Sequence, residues 1–346
     1  MTETANPVGL RGISFIMMAA RDPEPLHELL LAFGFSRTMR HAERPIDLYE
    51  QGEMRMLIDR SRAGFSATFA AVHGPCISAM GWEVANAEAA TAMAVRRGAL
   101  LGDGDFRRAD GSYVPAVRGI GDSLIYFIDP RDTWMTLGFI PLARPDRVPS
   151  KGFTRIDHLT NNVPRGELRR WAAFYREVFG FTEVRYFDIR GVKTGLQSFA
   201  LRSPCGTFCI PINEGTETGS QIDEYLDEYK GPGIQHLAFL TDDILASLRA
   251  LEATPIQFLD IDDEYYRDVF ERLPNVSEDR NEIARRNVLV DGDDEGYLLQ
   301  IFTKNLIGPI FIELIQRRNH LSFGEGNFGA LFRSIERDQQ RRGYLT

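Results

Sequence analysis

The sequence carries only three cysteines in 346 residues, Cys76, Cys205 and Cys209. They are odd in number and too sparse for a disulfide framework or a Cys-only zinc site, so buried free thiols are expected and no chemistry is assigned to them. No apolar run approaches the roughly 20 residues that span a bilayer, so no membrane partner is expected. Positive charge is also short. Forty Lys and Arg face 49 Asp and Glu, a net charge of −9, which argues against nucleic acid or an anionic membrane surface as the main partner. The first residues, Met1 to Gly12, lack the basic-then-apolar order of a secretory signal, and a cytoplasmic address is expected. What remains is ordinary globular material, 43% hydrophobic and 26% charged. The chain exceeds the roughly 250–300 residues at which a single core stops growing, so two domains of about 150 residues each are expected.

Short runs rich in Ile, Phe, Val and Leu, separated by Gly and Pro turns and a few amphipathic stretches, indicate mixed α and β structure with extensive sheet. Ala143 to Gly152 carries Pro145, Pro149, Arg144, Asp146, Arg147 and Lys151 with little to bury, and is expected to be a linker. This divides the chain into an N-terminal domain 1–142, a linker 143–152 and a C-terminal domain 153–346. The halves repeat each other weakly. Ile13 and a helical pattern stopped at Gly34 match Ile156 and a pattern over Glu167 to Phe179 stopped at Gly180. Gly74-Pro75-Cys76, a strand and a helix over Ala87 to Arg97 match Gly231-Pro232-Gly233, a strand and a helix over Asp243 to Glu252. Leu124 to Phe127 is paired with Leu298 to Ile301. The expected fold is therefore α+β: four copies of a strand, a helix and several strands (βαβββ), two per half, each pair curling one sheet into an open barrel around a cavity.

In this alignment His158 faces Phe15 and His236 faces Ala79, so only the C-terminal half offers imidazoles. The other four histidines, His27, His41, His73 and His320, lie in an amphipathic helix or among turn and charged residues, and surface exposure is expected of them. A lone strand histidine is usually a satisfied core residue, but two at repeat-related positions point to ligands. Phe311-Ile312-Glu313-Leu314-Ile315 then places a carboxylate inside an apolar strand, where an unpartnered charge is costly. An ion pair with Arg317 or Arg318 is the plain alternative, and strand alternation puts Arg317 on the same face as Glu313. Two neutral imidazoles and one carboxylate are also the facial set of non-haem Fe(II), with positions left for substrate and dioxygen. Zinc favours a nearly closed tetrahedral set and has no redox chemistry, so iron is the expected ion.

Several runs carry a family resemblance: Ile156-Asp157-His158-Leu159-Thr160-Asn161-Asn162-Val163, Tyr186-Phe187-Asp188-Ile189, Pro211-Ile212-Asn213-Glu214, Gly233-Ile234-Gln235-His236-Leu237-Ala238-Phe239 and Leu298-Leu299-Gln300-Ile301-Phe302. The most specific is Phe311 to Leu345, which contains Phe323-Gly324-Glu325-Gly326-Asn327-Phe328 and Ser334-Ile335-Glu336-Arg337-Asp338-Gln339. Through these the C-terminal half resembles the 4-hydroxyphenylpyruvate dioxygenases of the vicinal oxygen chelate superfamily, and the N-terminal half does so only in order of elements.

The resemblance implies Fe(2+) on His158, His236 and Glu313, with 4-hydroxyphenylpyruvate and dioxygen as substrates. The implied reaction is oxidative decarboxylation, ring hydroxylation and side-chain migration to homogentisate, with carbon dioxide released. It puts Ser203, Asn213, Gln221 and Gln235 around the phenol and Gln300 near the metal-bound groups. Phe302, Phe311, Phe323 and Phe328 are implied as walls for the ring. Gln300, Asn213 and Gln235 are the implied catalytic polar groups. A lid helix over 326–342 is implied to close the cavity through its apolar positions Phe328, Leu331, Phe332 and Ile335. Asn327 would hold the lid, and Gly324 and Gly326 would free its turn. Arg337, Arg341 and Arg342 are expected to be a solvated helix end that complements the dipole. The family is homo-oligomeric, and the N-terminal half is expected to be a structural partner without metal. Two competing readings are weighed. A 4-hydroxymandelate synthase on the same fold is disfavoured by the retained Pro-Ile-Asn and Asn-Phe segments, and a non-catalytic binding protein is disfavoured by the complete triad.

Overall fold

The computed structural model describes residues 5–191 and 193–344. The outermost residues of both expected domains, including Leu345 of the resemblance run, lie outside the described residues. The first repeat unit is β1 (Leu10–Ala19), α1 (Glu24–Ala32), β2 (Ser36–His41), β3 (Ile46–Gln51) and β4 (Met54–Asp59). After α2 (Phe65–His73) come β5 (Cys76–Val84), α3 (Ala87–Arg96), β6 (Ala116–Arg118), β7 (Leu124–Ile128) and β8 (Phe139–Asp146). The third unit is β9 (Phe153–Val163), α4 (Leu168–Phe179), β10 (Thr182–Arg190), β11 (Gly195–Arg202) and β12 (Cys209–Gly215). Next follow α5 (Gln221–Tyr229), β13 (Gly233–Thr241), α6 (Ile244–Leu251), α7 (Tyr265–Arg272) and α8 (Arg280–Arg285). The chain continues through β14 (Leu289–Gly292), β15 (Tyr297–Phe302) and β16 (Phe311–Arg318) to α9 (Phe328–Arg341).

The predicted helix limits have visible causes. Asn86 caps α3 by accepting from Ala89 N, Asp243 caps α6 by accepting from Ala246 N, and Gly180 ends α4 in the left-handed region. Among the described residues the strands form two eight-stranded sheets, ordered β6-β7-β5-β1-β4-β3-β2-β8 and β10-β11-β12-β9-β13-β16-β15-β14. In each, the opening strands of the two units pair antiparallel at the centre, β1 with β5 and β9 with β13. The second unit is the irregular one. Its outermost strand is reduced to a bridge between Leu101 and Val117, and β8 crosses to pair with β2.

Four expectations are corrected here. Residues 143–146, expected in the linker, belong to β8. Pro145 is tolerated because β8 is an edge strand, and Arg37 pairs with Asp146 at 2.7 Å. The partner of Leu124–Phe127 is Phe311–Leu314 and not Leu298–Ile301, because β7 and β16 are the strands that run parallel beside β5 and β13. Of the thiols only Cys76 is buried, Cys205 and Cys209 being partly exposed. His41 is also buried, accepting from the Glu43 and Arg44 amides, while His27, His73 and His320 are half-buried. The halves share one continuous core: Trp82 meets Phe179 edge-on at 4.9 Å, and Phe33 meets Phe239 at 5.8 Å.

Both central strand pairs are bulged at matching places. β1 and β5 carry extra residues at Arg11, Ser14 and Ser78, and β9 and β13 carry them at Thr154, Asp157 and Gln235. A bulge bends its strand and re-aims the neighbouring side chain.

Candidate metal centre and its cavity

β9, β13 and β16 are adjacent, and Ala238 stands in register between His158 and Glu313. His236, two residues back along β13, shares the face of Ala238. The three side chains therefore converge. His158 Nε2 lies 3.1 Å and His236 Nε2 3.4 Å from Glu313 Oε2, and all three ligand atoms lie within 4.8 Å of one another. All three residues are buried.

The bulges explain how each imidazole is held. Successive strand residues ordinarily face opposite ways, yet Asp157 Oδ2 is 2.8 Å from His158 Nδ1 and Gln235 Oε1 is 3.1 Å from His236 Nδ1. Those oxygens can only accept, so each ring carries a proton on Nδ1 and turns its Nε2 toward Glu313. Gln300 Nε2 donates to Glu313 Oε1 at 3.0 Å, which leaves Oε2 for the imidazoles. Burial opposes charge on His158, but the Glu313 carboxylate and the Asp157 hydrogen bond hold its pKa up, to about 9. Burial likewise opposes charge on Glu313, and the two imidazoles outweigh it, holding the carboxyl down at about 2. His236 is lowered, by burial first and by the charge of His158. Once a cation displaces the proton that His158 carries without one, two neutral imidazoles and a carboxylate make a buried net −1 set that suits a divalent ion, with three donors on one side of it. The alternative ion pair for Glu313 is not formed: Arg317 pairs with Asp157 and Arg318 with Glu278.

The open side faces a cavity. Asn213, Gln221, Gln235, Gln300, Phe302, Phe311, Phe323 and Phe328 all line it, as expected. Gln221 is delivered by the first turn of α5, whose N-cap Ser220 forms a capping box with Asp223. Ser203 does not line the cavity. It lies in the turn after β11, where its Oγ accepts from Phe208 N at 3.3 Å. The hydroxyl on that strand facing the cavity is Ser198, directly opposite Asn213 across β11 and β12. Asn327 is set behind the cavity wall, donating to Gln300 Oε1 at 2.8 Å and accepting from the Tyr265 hydroxyl at 2.6 Å. It therefore acts through Gln300. Phe187, Ile189, Leu196 and Pro211 also line the cavity, and no cavity role is expected of them from the sequence, although alternation along β10, β11 and β12 puts each on a face with another lining residue.

The segment expected as a lid is a 3₁₀ turn, Glu325–Asn327, followed by α9, and Phe328, Leu331, Phe332 and Ile335 line the cavity. Gly324 has φ +77°, and a Cβ there would overlap Gln300 Oε1. Gly326 serves differently. Its φ is not positive, and it is kept small by Asp291, which accepts from its amide at 3.1 Å. The basic helix end is not simply solvated. Arg337 pairs with Asp262 at 2.6 Å, Arg341 with Asp260 at 3.4 Å, and Arg342 with Glu224, so these residues pin α9 to the domain.

Residues 4–137 match the family described as hydroxyphenylpyruvate dioxygenase, N-terminal, and residues 155–281 match the glyoxalase/bleomycin resistance protein/dioxygenase superfamily. The chain is 54% identical to Protein MelA of Shewanella colwelliana over 100% of both chains. It is 42% identical to the 4-hydroxyphenylpyruvate dioxygenase of Legionella pneumophila over 98% of each. Among solved structures, a mutant of 4-hydroxymandelate synthase from Streptomyces coelicolor superposes with a TM-score of 0.82 at 24% identity, covering 96% of this chain and 99% of that one. At that identity the likeness is one of fold, and the paired curled sheets are the vicinal oxygen chelate architecture.

Proposed function

This chain belongs to the 4-hydroxyphenylpyruvate dioxygenase family and is a dioxygenase of it, and from that premise we propose that it converts 4-hydroxyphenylpyruvate and dioxygen to homogentisate and carbon dioxide. The ion is Fe(2+), held by His158, His236 and Glu313. The observation that carries the reading is the buried facial set opening onto a cavity with aromatic walls and several uncharged polar groups. Bound iron supplies chelation of the 2-oxo acid and activation of dioxygen.

The chain's own residues position and exclude water. Gln300 fixes Glu313 and, from the cavity wall, would lie near the keto acid when iron holds it. Asn213, Gln221 and Gln235, joined by Ser198 in place of Ser203, meet the phenol. Amide and hydroxyl groups hold it without the desolvation cost of a buried charge. Phe302, Phe311, Phe323 and Phe328 fix the ring plane by edge and offset contacts. The apolar face of α9 closes the cavity against bulk water. Among the described residues no helix is long and apolar enough to cross a membrane. The proposed setting is a cytoplasmic homo-oligomer serving tyrosine and phenylalanine breakdown, with the N-terminal half a metal-free structural partner.

The deciding experiment is metal analysis paired with product identification. About one iron per chain and homogentisate are expected; 4-hydroxymandelate as the product would overturn the assignment. Anaerobic addition of Fe(II) and the keto acid should give a visible charge-transfer colour, and a colourless mixture would favour plain binding.

A further inference from the structure

Arg317 lies on β16 four residues beyond Glu313, and its guanidinium is used on two sides. Nε and Nη2 donate to Asp157 Oδ1 and Oδ2, each at 2.8 Å. Asp157 Oδ2 in turn accepts from His158 Nδ1 at 2.8 Å. On the other side, Nη1 donates to the carbonyls of His320 at 3.1 Å and Ser322 at 2.6 Å. These carbonyls belong to the segment joining β16 to the lid, which turns through left-handed residues at Asn319 and Gly324. The guanidinium also lies 6.0 Å from the ring centroid of Phe323, which meets His158 edge-on at 5.7 Å and lines the cavity.

The pair is partly buried, with 13% of the Arg317 and 12% of the Asp157 side chain exposed. Only the planar fork of arginine can grip a carboxylate with two parallel bonds and still offer donors at a different angle. A pair that merely tied β9 to β16 would have no use for the two hinge carbonyls.

We propose that Arg317 is a positioning residue that couples the aim of the metal ligand His158, through Asp157, to the seating of the lid, through the His320 and Ser322 carbonyls. The inference rests on the ligand assignment made under the proposed function. When a cation draws His158 Nε2 toward it, Asp157 and the guanidinium move with the ring and hold the hinge in the closed path. A lid that opens loosens the grip on the imidazole.

The test uses the full chain and Co²⁺ as the probe, titrated by calorimetry and by its visible absorption, with hydrogen–deuterium exchange read over residues 319–341. In the unsubstituted protein Co²⁺ should bind and slow exchange in that segment. Arg317→Gln and Asp157→Asn should each weaken Co²⁺ binding about 10–100-fold, the range for partners that orient a ligating histidine. In Arg317→Gln the lid segment should no longer respond to Co²⁺. Arg317→Lys, which keeps the charge without the fork, should recover part of the affinity and not the lid response. Co²⁺ affinity within about twofold of the parent in Arg317→Gln, or a lid segment that still slows on Co²⁺ addition, overturns the coupling while leaving the ligand assignment intact. If Arg317→Gln fails to fold, Asp157→Asn decides, and unchanged affinity there overturns the proposal. Failure of the unsubstituted chain to bind Co²⁺ would overturn the ligand assignment itself, and this proposal with it.

Discussion

In the N-terminal sheet the row Phe15, Gly81, Tyr126 crosses β1, β5 and β7; in the C-terminal sheet the matching row is His158, Ala238, Glu313 across β9, β13 and β16. The bulged pairs also match, Ser14-Phe15 with Asp157-His158 and Ser78-Ala79 with Gln235-His236. The backbone device that aims side chains into a barrel is thus present twice, and only one copy aims imidazoles and a carboxylate. In the other copy the space is closed by rings. Phe15 meets Phe106 at 5.9 Å, Phe106 meets Tyr126 at 5.6 Å, and Trp134 meets Phe139 at 5.4 Å. Bulges and curl are therefore indifferent to chemistry, and the polarity of a few inward positions decides between core and site. The polar choice brings obligations that the apolar one does not, since each of the three converging side chains has a partner: Asp157 for His158, Gln235 for His236, Gln300 for Glu313.

The comparison breaks most sharply if the apolar side chain is moved into the polar row. His158→Phe should abolish metal retention and bring turnover to background while the chain stays folded, read by metal analysis and circular dichroism; retained iron would mean the row does not hold it. The reverse move, Tyr126→Glu, buries a carboxylate without an imidazole beside it. It should lower stability by about 3–5 kcal/mol in chemical denaturation, the cost of an uncompensated buried charge, with metal content still one per chain. A smaller effect separates Gly81 from Ala238. A Cβ at Gly81 would overlap the Phe15 ring, whereas the C-terminal row holds an alanine there. Gly81→Ala should therefore cost about 1–3 kcal/mol by overpacking, and an unchanged denaturation midpoint would show that Phe15 has room to move.

A last contrast is in titration, where the two halves differ in sign. Buried His41 is lowered below its ordinary 6.5, first by desolvation, so its contribution to stability is present above that pH and is lost as pH falls. His158 in the metal-free chain is raised to about 9, so its contribution is complete below 6.5 and lost as pH rises through about 9. Imidazole resonances followed by NMR should move on opposite sides of 6.5, and a shared midpoint would remove the contrast.

Much of this was legible in residue order. Gly180 stops α4, Asn86 and Asp243 start α3 and α6, and the pairing of His158 with Phe15 and of His236 with Ala79 agrees with the strand registers. Other features were not. Leu124–Phe127 was matched to β15 because one apolar strand looks like another until its neighbours are known. Ser198 escaped notice because a serine in a strand carries no mark of which face it occupies until Asn213 is set opposite it. Pro145 suggested a linker because a proline suits an edge strand as well as a loop. The arginines ending α9 looked solvated because Asp260, Asp262 and Glu224, which pair with them, lie far away in sequence.

What residue order alone determined is the repeat, the polarity that sets one half apart, and the chemical types of the three converging side chains, because each is a local property of a strand or a spacing. What only the tertiary structure decided is which acceptor holds each imidazole, where the Arg317 fork reaches, and how the lid is pinned. Those depend on bulges and on contacts between segments up to about 160 residues apart, as Arg317 and Asp157 are. A chain brings such groups together only once its strands have chosen their neighbours and register.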